Sequence, residues 1–219
     1  TGTRILVTAG GTREPIDPVR YLGNRSSGKM GFAIAEDAAA RGATVTLVAG
    51  PSALDTPQGV RRVDVITATD MHDAVMAAVD DHDVIIKAAA VADFRPATAS
   101  TSKLKKDAGV PTIELVRNPD ILADLGARRG TGQTRPLLVG FAAETDDVEA
   151  SGRRKLERKG ADLLLVNDVS ADDAGFEVDT NRGVLLDRDG SSRPIHLASK
   201  REVASQLLDA VAGKLGRQR

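Results

Sequence analysis

A short apolar run that breaks on glycines and restarts as a helix does most to limit what this chain can become. Ile5, Leu6 and Val7 read as a buried strand, Ala9-Gly10-Gly11 as a turn, and Ser26-Ser27-Gly28-Lys29 as the opening of a helix over the alanine-rich residues 31–41. Ser26 or Ser27 is the natural N-cap and Gly42 the natural stop. A β-branched strand follows at residues 44–48. Strand, helix and strand in that order form a βαβ unit, which requires parallel pairing and a right-handed crossover. Where such a strand runs into a helix N-terminus, free backbone N–H groups and the helix dipole favour an anion.

The alternation continues along the chain. Strands are predicted at residues 63–66, 84–87, 112–116, 137–141 and 162–166, and helices at 70–79, 119–127, 147–159 and 197–215. This pattern specifies an α/β fold with a doubly wound, mostly parallel sheet, treated as one domain over residues 1–219. Residues 176–187 differ and read as a β-hairpin that turns near Asn181, Arg182 and Gly183. Two stretches are longer than a sheet needs: residues 12–25, and the polar, lysine-bearing residues 93–110. Long connections at strand ends are where open α/β sheets place their ligands.

Composition removes several functions. The chain has no cysteine, so disulfides, thiolate metal sites and a cysteine nucleophile are excluded. Thirty basic residues stand against thirty-one acidic ones, with one Tyr and no Trp. No global field or stacking platform favours nucleic acid, and no apolar run suits a membrane span. A soluble, cytoplasmic protein is expected. The three histidines, His72, His82 and His196, are far apart, and G-x-S-x-G is absent. Thr1-Gly2 is an unusual start, which suggests a piece of a longer polypeptide.

The remaining motifs each have a plain structural reading beside a functional one. Gly23 to Met30 nearly spells a P-loop, but Met30 replaces the hydroxyl that would ligate Mg²⁺. No G-x-G-x-x-G follows the first strand, and Ala49-Gly50-Pro51 lacks the ribose-binding acid of a dinucleotide site. An oxidoreductase of Rossmann type is therefore the weaker alternative. Asn24 offers a neutral amide donor for a developing oxyanion. Lys103, Lys105 and Lys106 form a K-x-K-K cluster, and Lys155 and Lys159 share a helix stripe. Both groups read either as solvated charge or as ligands of a polyphosphate. Asn118, Pro119 and Asp120 open a helix, with Asn118 as its N-cap, and Asp93 is a carboxylate at a strand end.

Taken together, TAGGTREPIDPVRYLGNRSSGKMG, KAAAVADFRP, KLKK, RNPDIL, VGFAAET and ADLLLVNDVS resemble the phosphopantothenate–cysteine ligase domain of coenzyme A biosynthesis, in its bacterial CTP-dependent form. The similarity runs from Arg4 to about Leu186. It implies a Rossmann-like homodimer with a projecting arm that helps complete the neighbour's site, natively fused to a flavin-dependent decarboxylase. The implied reaction consumes CTP with Mg²⁺ or Mn²⁺, passes through 4′-phosphopantothenoyl-cytidylate, and captures L-cysteine. By the same resemblance Asn24 holds the acyl intermediate and Lys103 serves activation. The resemblance also implies that Ala89, Asp93, Lys103, Asn118, Pro119, Asp120, Ile121, Phe141, Lys155 and Lys159 bind CTP, with Asp93 also facing the metal. It likewise implies that Arg20, Asn24, Ser27 and Gly28 bind the acid substrate.

Overall fold

The opening strand shows no polar alternation because helices cover both of its faces: Ile5, Val7 and Ala9 enter one core and Leu6 the other. The computed structural model describes residues 2–105, 109–130, 132–144, 147–168 and 178–217. In chain order the elements are β1 (Arg4–Ala9), β2 (Glu14–Pro15), β3 (Tyr21–Leu22), α1 (Lys29–Ala40), β4 (Thr44–Ala49), β5 (Val60–Asp64), α2 (Ala68–Ala78), β6 (Val84–Lys87), β7 (Phe94–Pro96), β8 (Leu115–Arg117), α3 (Ile121–Arg129), β9 (Leu137–Glu144), α4 (Val148–Lys159), β10 (Leu163–Asp168), β11 (Thr180–Asp187), β12 (Ser192–Ser199) and α5 (Lys200–Arg217).

The main sheet runs β12-β11-β10-β9-β6-β1-β4-β5. All pairings from β10 to β5 are parallel, and β11 and β12 extend the β10 edge antiparallel. Counted along the parallel strands alone, this is the doubly wound order whose direction reverses between β1 and β6. Helices α1 and α5 pack on one face; α2, α3 and α4 pack on the other. The crevice outside the carboxyl ends of β1 and β6 is therefore where a ligand belongs.

Five local expectations are corrected. The strand expected in the main sheet at residues 112–116 is β8, Leu115–Arg117, which pairs antiparallel with β7 in a separate two-stranded ribbon. Residues 180–187 form one strand rather than a hairpin, and Phe176 lies outside the described residues. Gly183 marks a register shift, and a Cβ there would collide with the Val166 carbonyl oxygen, so it serves close strand approach and not a turn. The hairpin is instead β11–β12, turning through Gly190 at φ 95°. The closing helix starts at Lys200, because Ser199 and Glu202 form a reciprocal cap: Ser199 Oγ accepts from Glu202 N, and Glu202 Oε2 accepts from Ser199 N.

The other two concern helix starts. Helix α1 is capped by neither serine but by Gly28, in the left-handed region at φ 79° and packed against Gly10. Helix α3 is capped by Asp120, which accepts from Ala123 N at 3.2 Å, rather than by Asn118. Asn118 ties loops together: its Nδ2 donates to Ala92 O at 2.8 Å and its Oδ1 accepts from Arg95 Nη1 at 3.0 Å.

Candidate active site

The loops after β1 and β6 are stitched to each other before they form a wall. Thr8 Oγ1 accepts from Ala89 N at 3.1 Å, Ala90 N donates to Gly10 O at 2.9 Å, and Thr12 Oγ1 accepts from Ala92 N at 3.0 Å. Asn24 lies across this seam. Its Nδ2 donates to Val91 O at 3.0 Å, and its backbone carbonyl lies over Gly11, where an added Cβ would stand 2.8 Å from Asn24 O. One amide hydrogen of Asn24 is thus spent on orientation, which leaves the second for a ligand.

Around Asn24 opens a cavity of about 500 Å³, built from the start of α1, the β6–β7 loop, the end of β9 and one stripe of α4. Among the described residues Lys29, Lys87, Lys155, Arg158, Lys159 and Lys200 line it against two carboxylates, Asp93 and Asp120. Such an excess of cations around a concave, partly apolar surface suits a polyanion. An adjoining cavity of about 360 Å³ shares Lys87, Val91, Asp93, Asp120 and Lys159 with the first. Lys159 pairs with Asp120 at the N-terminus of α3, and burial pushes the Lys159 ammonium below its ordinary range while Asp93 opposes that shift.

The sequence-derived residues divide into three groups. Asn24, Ser27, Gly28, Ala89, Asp93, Asp120, Phe141, Lys155 and Lys159 meet at the larger cavity. Asn118, Pro119 and Ile121 line the adjoining one, but the Ile121 side chain is core, so only its backbone can serve a ligand. Arg20 and Lys103 line neither; Lys103 is exposed, and Arg20 is held by Asp17.

Sequence reasoning passed over several lining residues. Lys29 pairs with Asp179 at 2.6 Å, and burial lowers the pKa of Lys200, with the nearby Lys29 adding to the shift. Buried Asn181 donates to Asn167 Oδ1 at 2.8 Å, and both residues line the cavity. Lys87 ends the apolar run of β6 and donates to Ala89 O at 3.0 Å. A charged residue closing a fully apolar strand was the available signal.

Burial, with Lys159 second, pushes Lys87 down to about 8, while Asp93 acts the other way. Its folded pKa lies below its unfolded value, so the ligand-free protein bears an unfavourable buried charge below about pH 8 and sheds it as pH rises toward the unfolded pKa. Lys87→Met is expected to raise the melting temperature at neutral pH, to remove that part of the stability gain on going alkaline, and to weaken binding of a polyphosphate in the cavity. Thermal scans from pH 7 to 10 with a parallel polyphosphate titration check it; a variant less stable than wild type at pH 7 contradicts it.

The sheet order and the cation-lined crevice define a Rossmann-like α/β protein whose site at the switch point suits phosphate groups. A model of the family described as "DNA/pantothenate metabolism flavoprotein C-terminal domain" matches residues 1–215, and the chain belongs to that family. It is 52% identical over 218 residues to the "Coenzyme A biosynthesis bifunctional protein CoaBC" of Mycobacterium tuberculosis, covering 96% of this chain and 52% of that protein. The protein of the same name from Vibrio vulnificus is 50% identical over 214 residues, covering 97% and 52%. The chain thus spans about half the length of the curated relatives it matches. The crystal structure of the C-terminal domain of a CoaBC protein superposes with a TM-score of 0.83 at 42% identity, covering 98% of this chain and 96% of that one. The fold also matches a DNA/pantothenate metabolism flavoprotein from Streptococcus pneumoniae, TM-score 0.78 at 24% identity over 97% and 99% of the two chains.

Proposed function

We propose that residues 1–219 act as a single CTP-dependent phosphopantothenate–cysteine ligase domain. The observation that carries this reading is one cavity in which the Asn24 amide, the backbone around Ala89 and the Lys155–Lys159 stripe converge. Membership of a family whose relatives are named for coenzyme A biosynthesis supports the choice of substrates.

The chemistry follows from those groups. A carboxylate oxygen of 4′-phosphopantothenate attacks the α-phosphorus of CTP, and the bond to the β-phosphate bridging oxygen breaks. Pyrophosphate leaves with that electron pair, offset by Lys155 and Lys159. The amine of L-cysteine then attacks the acyl carbonyl, the tetrahedral oxyanion accepts from Asn24, and CMP departs as the amine proton passes to water. None of these steps needs a histidine.

Mg²⁺ bound with the triphosphate would supply further charge neutralisation. Among the described residues no group of three or more His, Cys, Asp or Glu could hold a metal. The site therefore fits an ion carried mostly by phosphate oxygens, with Asp93 as the protein carboxylate. Mn²⁺ would serve in the same way.

The reading also assigns partners. Val19 and Tyr21, on the segment of β2 and β3, and Phe94, Leu115 and Val116, on β7 and β8, are large exposed apolar side chains on two small ribbons. A second copy of this chain covers them in the proposed homodimer, and Arg20 and Lys103 serve the partner's crevice. The other half of the bifunctional protein is a flavin-dependent decarboxylase, and the location is cytoplasmic. Among the described residues no helix is long and apolar enough to cross a membrane.

Lys103→Gln is expected to stop pyrophosphate release, the first half-reaction. Mixing that variant with Asn24→Ala and allowing subunits to exchange is expected to restore roughly a quarter of the sites, because each hybrid dimer regains one complete site. Measured amide formation in the mixture checks it. A mixture no more active than its components would place Lys103 in its own chain's site.

A further inference from the structure

Arg20 and Lys103 stand outside the crevice of their own chain, and one buried carboxylate joins their segments. Asp17 is 4% exposed and accepts from five donors. Its Oδ1 takes Val19 N at 2.9 Å and Arg20 N at 2.8 Å. Its Oδ2 takes Arg20 Nε at 3.0 Å, Arg20 Nη2 at 2.5 Å and Leu104 N at 3.1 Å. Arg20 Nη2 also donates to Leu104 O at 3.0 Å, and Ser100 N donates to Ile16 O at 2.9 Å. Leu104 is therefore gripped on both its N–H and its C=O, immediately beside Lys103.

We infer that Asp17 is a positioning residue that binds Arg20 and the Lys103 segment into one unit, so that the two cations reach the reacting groups together. The inference rests on the ligase reading through the role of Lys103. All five donors point at one side chain, which only an ionised carboxylate accommodates. The Arg20 side-chain bonds above all, then the backbone N–H groups, hold the Asp17 carboxyl well below the usual carboxylate range. Arg20 spends Nε and Nη2 on this contact, so its main task is to brace the lysine segment rather than to clamp a substrate with both arms of its fork. An amide at position 17 could still accept at one oxygen, but its NH₂ would confront Leu104 N–H and the guanidinium. Asp17→Asn therefore keeps the local turn and releases Leu104.

The test separates the two half-reactions. Asp17→Asn is expected to slow pyrophosphate release from CTP and 4′-phosphopantothenate about 100-fold, with both KM values within about twofold of wild type. Its reaction of supplied 4′-phosphopantothenoyl-cytidylate with cysteine is expected to stay at the wild-type rate. A purely structural role would lower both half-reactions together, and that outcome, or pyrophosphate release within about twofold of wild type while Lys103→Gln is inactive, overturns the inference. Should Lys103→Gln release pyrophosphate normally, the role of Lys103 fails instead. Trypsin cleavage at Lys103 and Lys105 then still decides whether Asp17 holds this segment: a rise of about tenfold in Asp17→Asn supports it and an unchanged rate refutes it. Arg20→Lys, which retains the charge but loses the forked contact, is expected to shift in the same direction and serves if Asp17→Asn does not fold.

Discussion

Replacing Asn24 by alanine is expected to leave pyrophosphate release close to wild type while lowering amide formation by about 100- to 1,000-fold, the range for loss of one oxyanion donor. Asn24 lies on the seam between the β1 and β6 loops, its side-chain amide held by the bond to Val91 O, with its backbone carbonyl packed where only a glycine at position 11 leaves room. Its remaining amide hydrogen is therefore aimed without help from substrate, as a donor preorganised for a transition state should be. The cations proposed to meet the leaving pyrophosphate lie on another element, α4, so the first step is expected to survive. The acyl-cytidylate should accumulate and be visible by mass spectrometry after rapid quenching. Equal loss of both half-reactions would remove Asn24 from the second step.

A second large effect is expected at the opposite end of the sheet. Asp162 and Arg129 are a buried pair, 7% and 8% exposed, at the amino-terminal edge of β10 and the end of α3. Asp162 Oδ2 also accepts from Leu138 N at 2.8 Å, and Arg129 donates to Pro136 O at 3.1 Å and Gly160 O at 2.6 Å. One ion pair thus ties α3, β9, the α4–β10 turn and β10. Asp162→Ala leaves a buried guanidinium whose Nε has no hydrogen bond among the described residues. Breaking such a pair costs about 3–5 kcal/mol, which for a chain of this size lowers the melting temperature by about 6–20 °C. The KM values of the folded enzyme should not move, because nothing in the pair lines the crevice. A loss under about 1 kcal/mol in denaturant titrations would contradict this account of the pair.

The sheet was legible because its strands are buried on both faces and so read as unbroken apolar runs, as in β1, β6 and β10. Edges and caps were less so. Gly183 carries a turn residue's identity but answers to contact with Val166, which only the tertiary structure reveals. The ribbons β2–β3 and β7–β8 have two or three residues per strand, too short for periodicity to place them; the run at residues 112–116 reads as a strand, but nothing in it says that β8 pairs with β7 outside the main sheet.

At the site, Asp93, Lys155 and Lys159 could be picked out as residue types at a strand end and on one helix stripe, whereas Asp120, without the resemblance, reads only as part of a helix opening. Lys200 was not picked out, because a lysine at the start of a helix looks like an ordinary surface charge until the topology folds it into the cavity; Lys87 was passed over although it closes a fully apolar strand. The proposed role of Arg20 came from resemblance alone, whereas Lys103 also stood out in a K-x-K-K cluster that reads either as solvated charge or as a polyphosphate ligand. Asp17, which joins them, is indistinguishable from any turn aspartate until Leu104 is seen on it.

The most direct test of the proposed activity is pyrophosphate release by the purified protein with Mg²⁺, CTP and 4′-phosphopantothenate, with and without cysteine. The account expects release that requires phosphopantothenate, proceeds without cysteine, and is followed by CMP once cysteine is added. Release with ATP but not CTP would keep the ligase and overturn the nucleotide assignment; silence with both, from folded protein, would contradict the ligase reading itself.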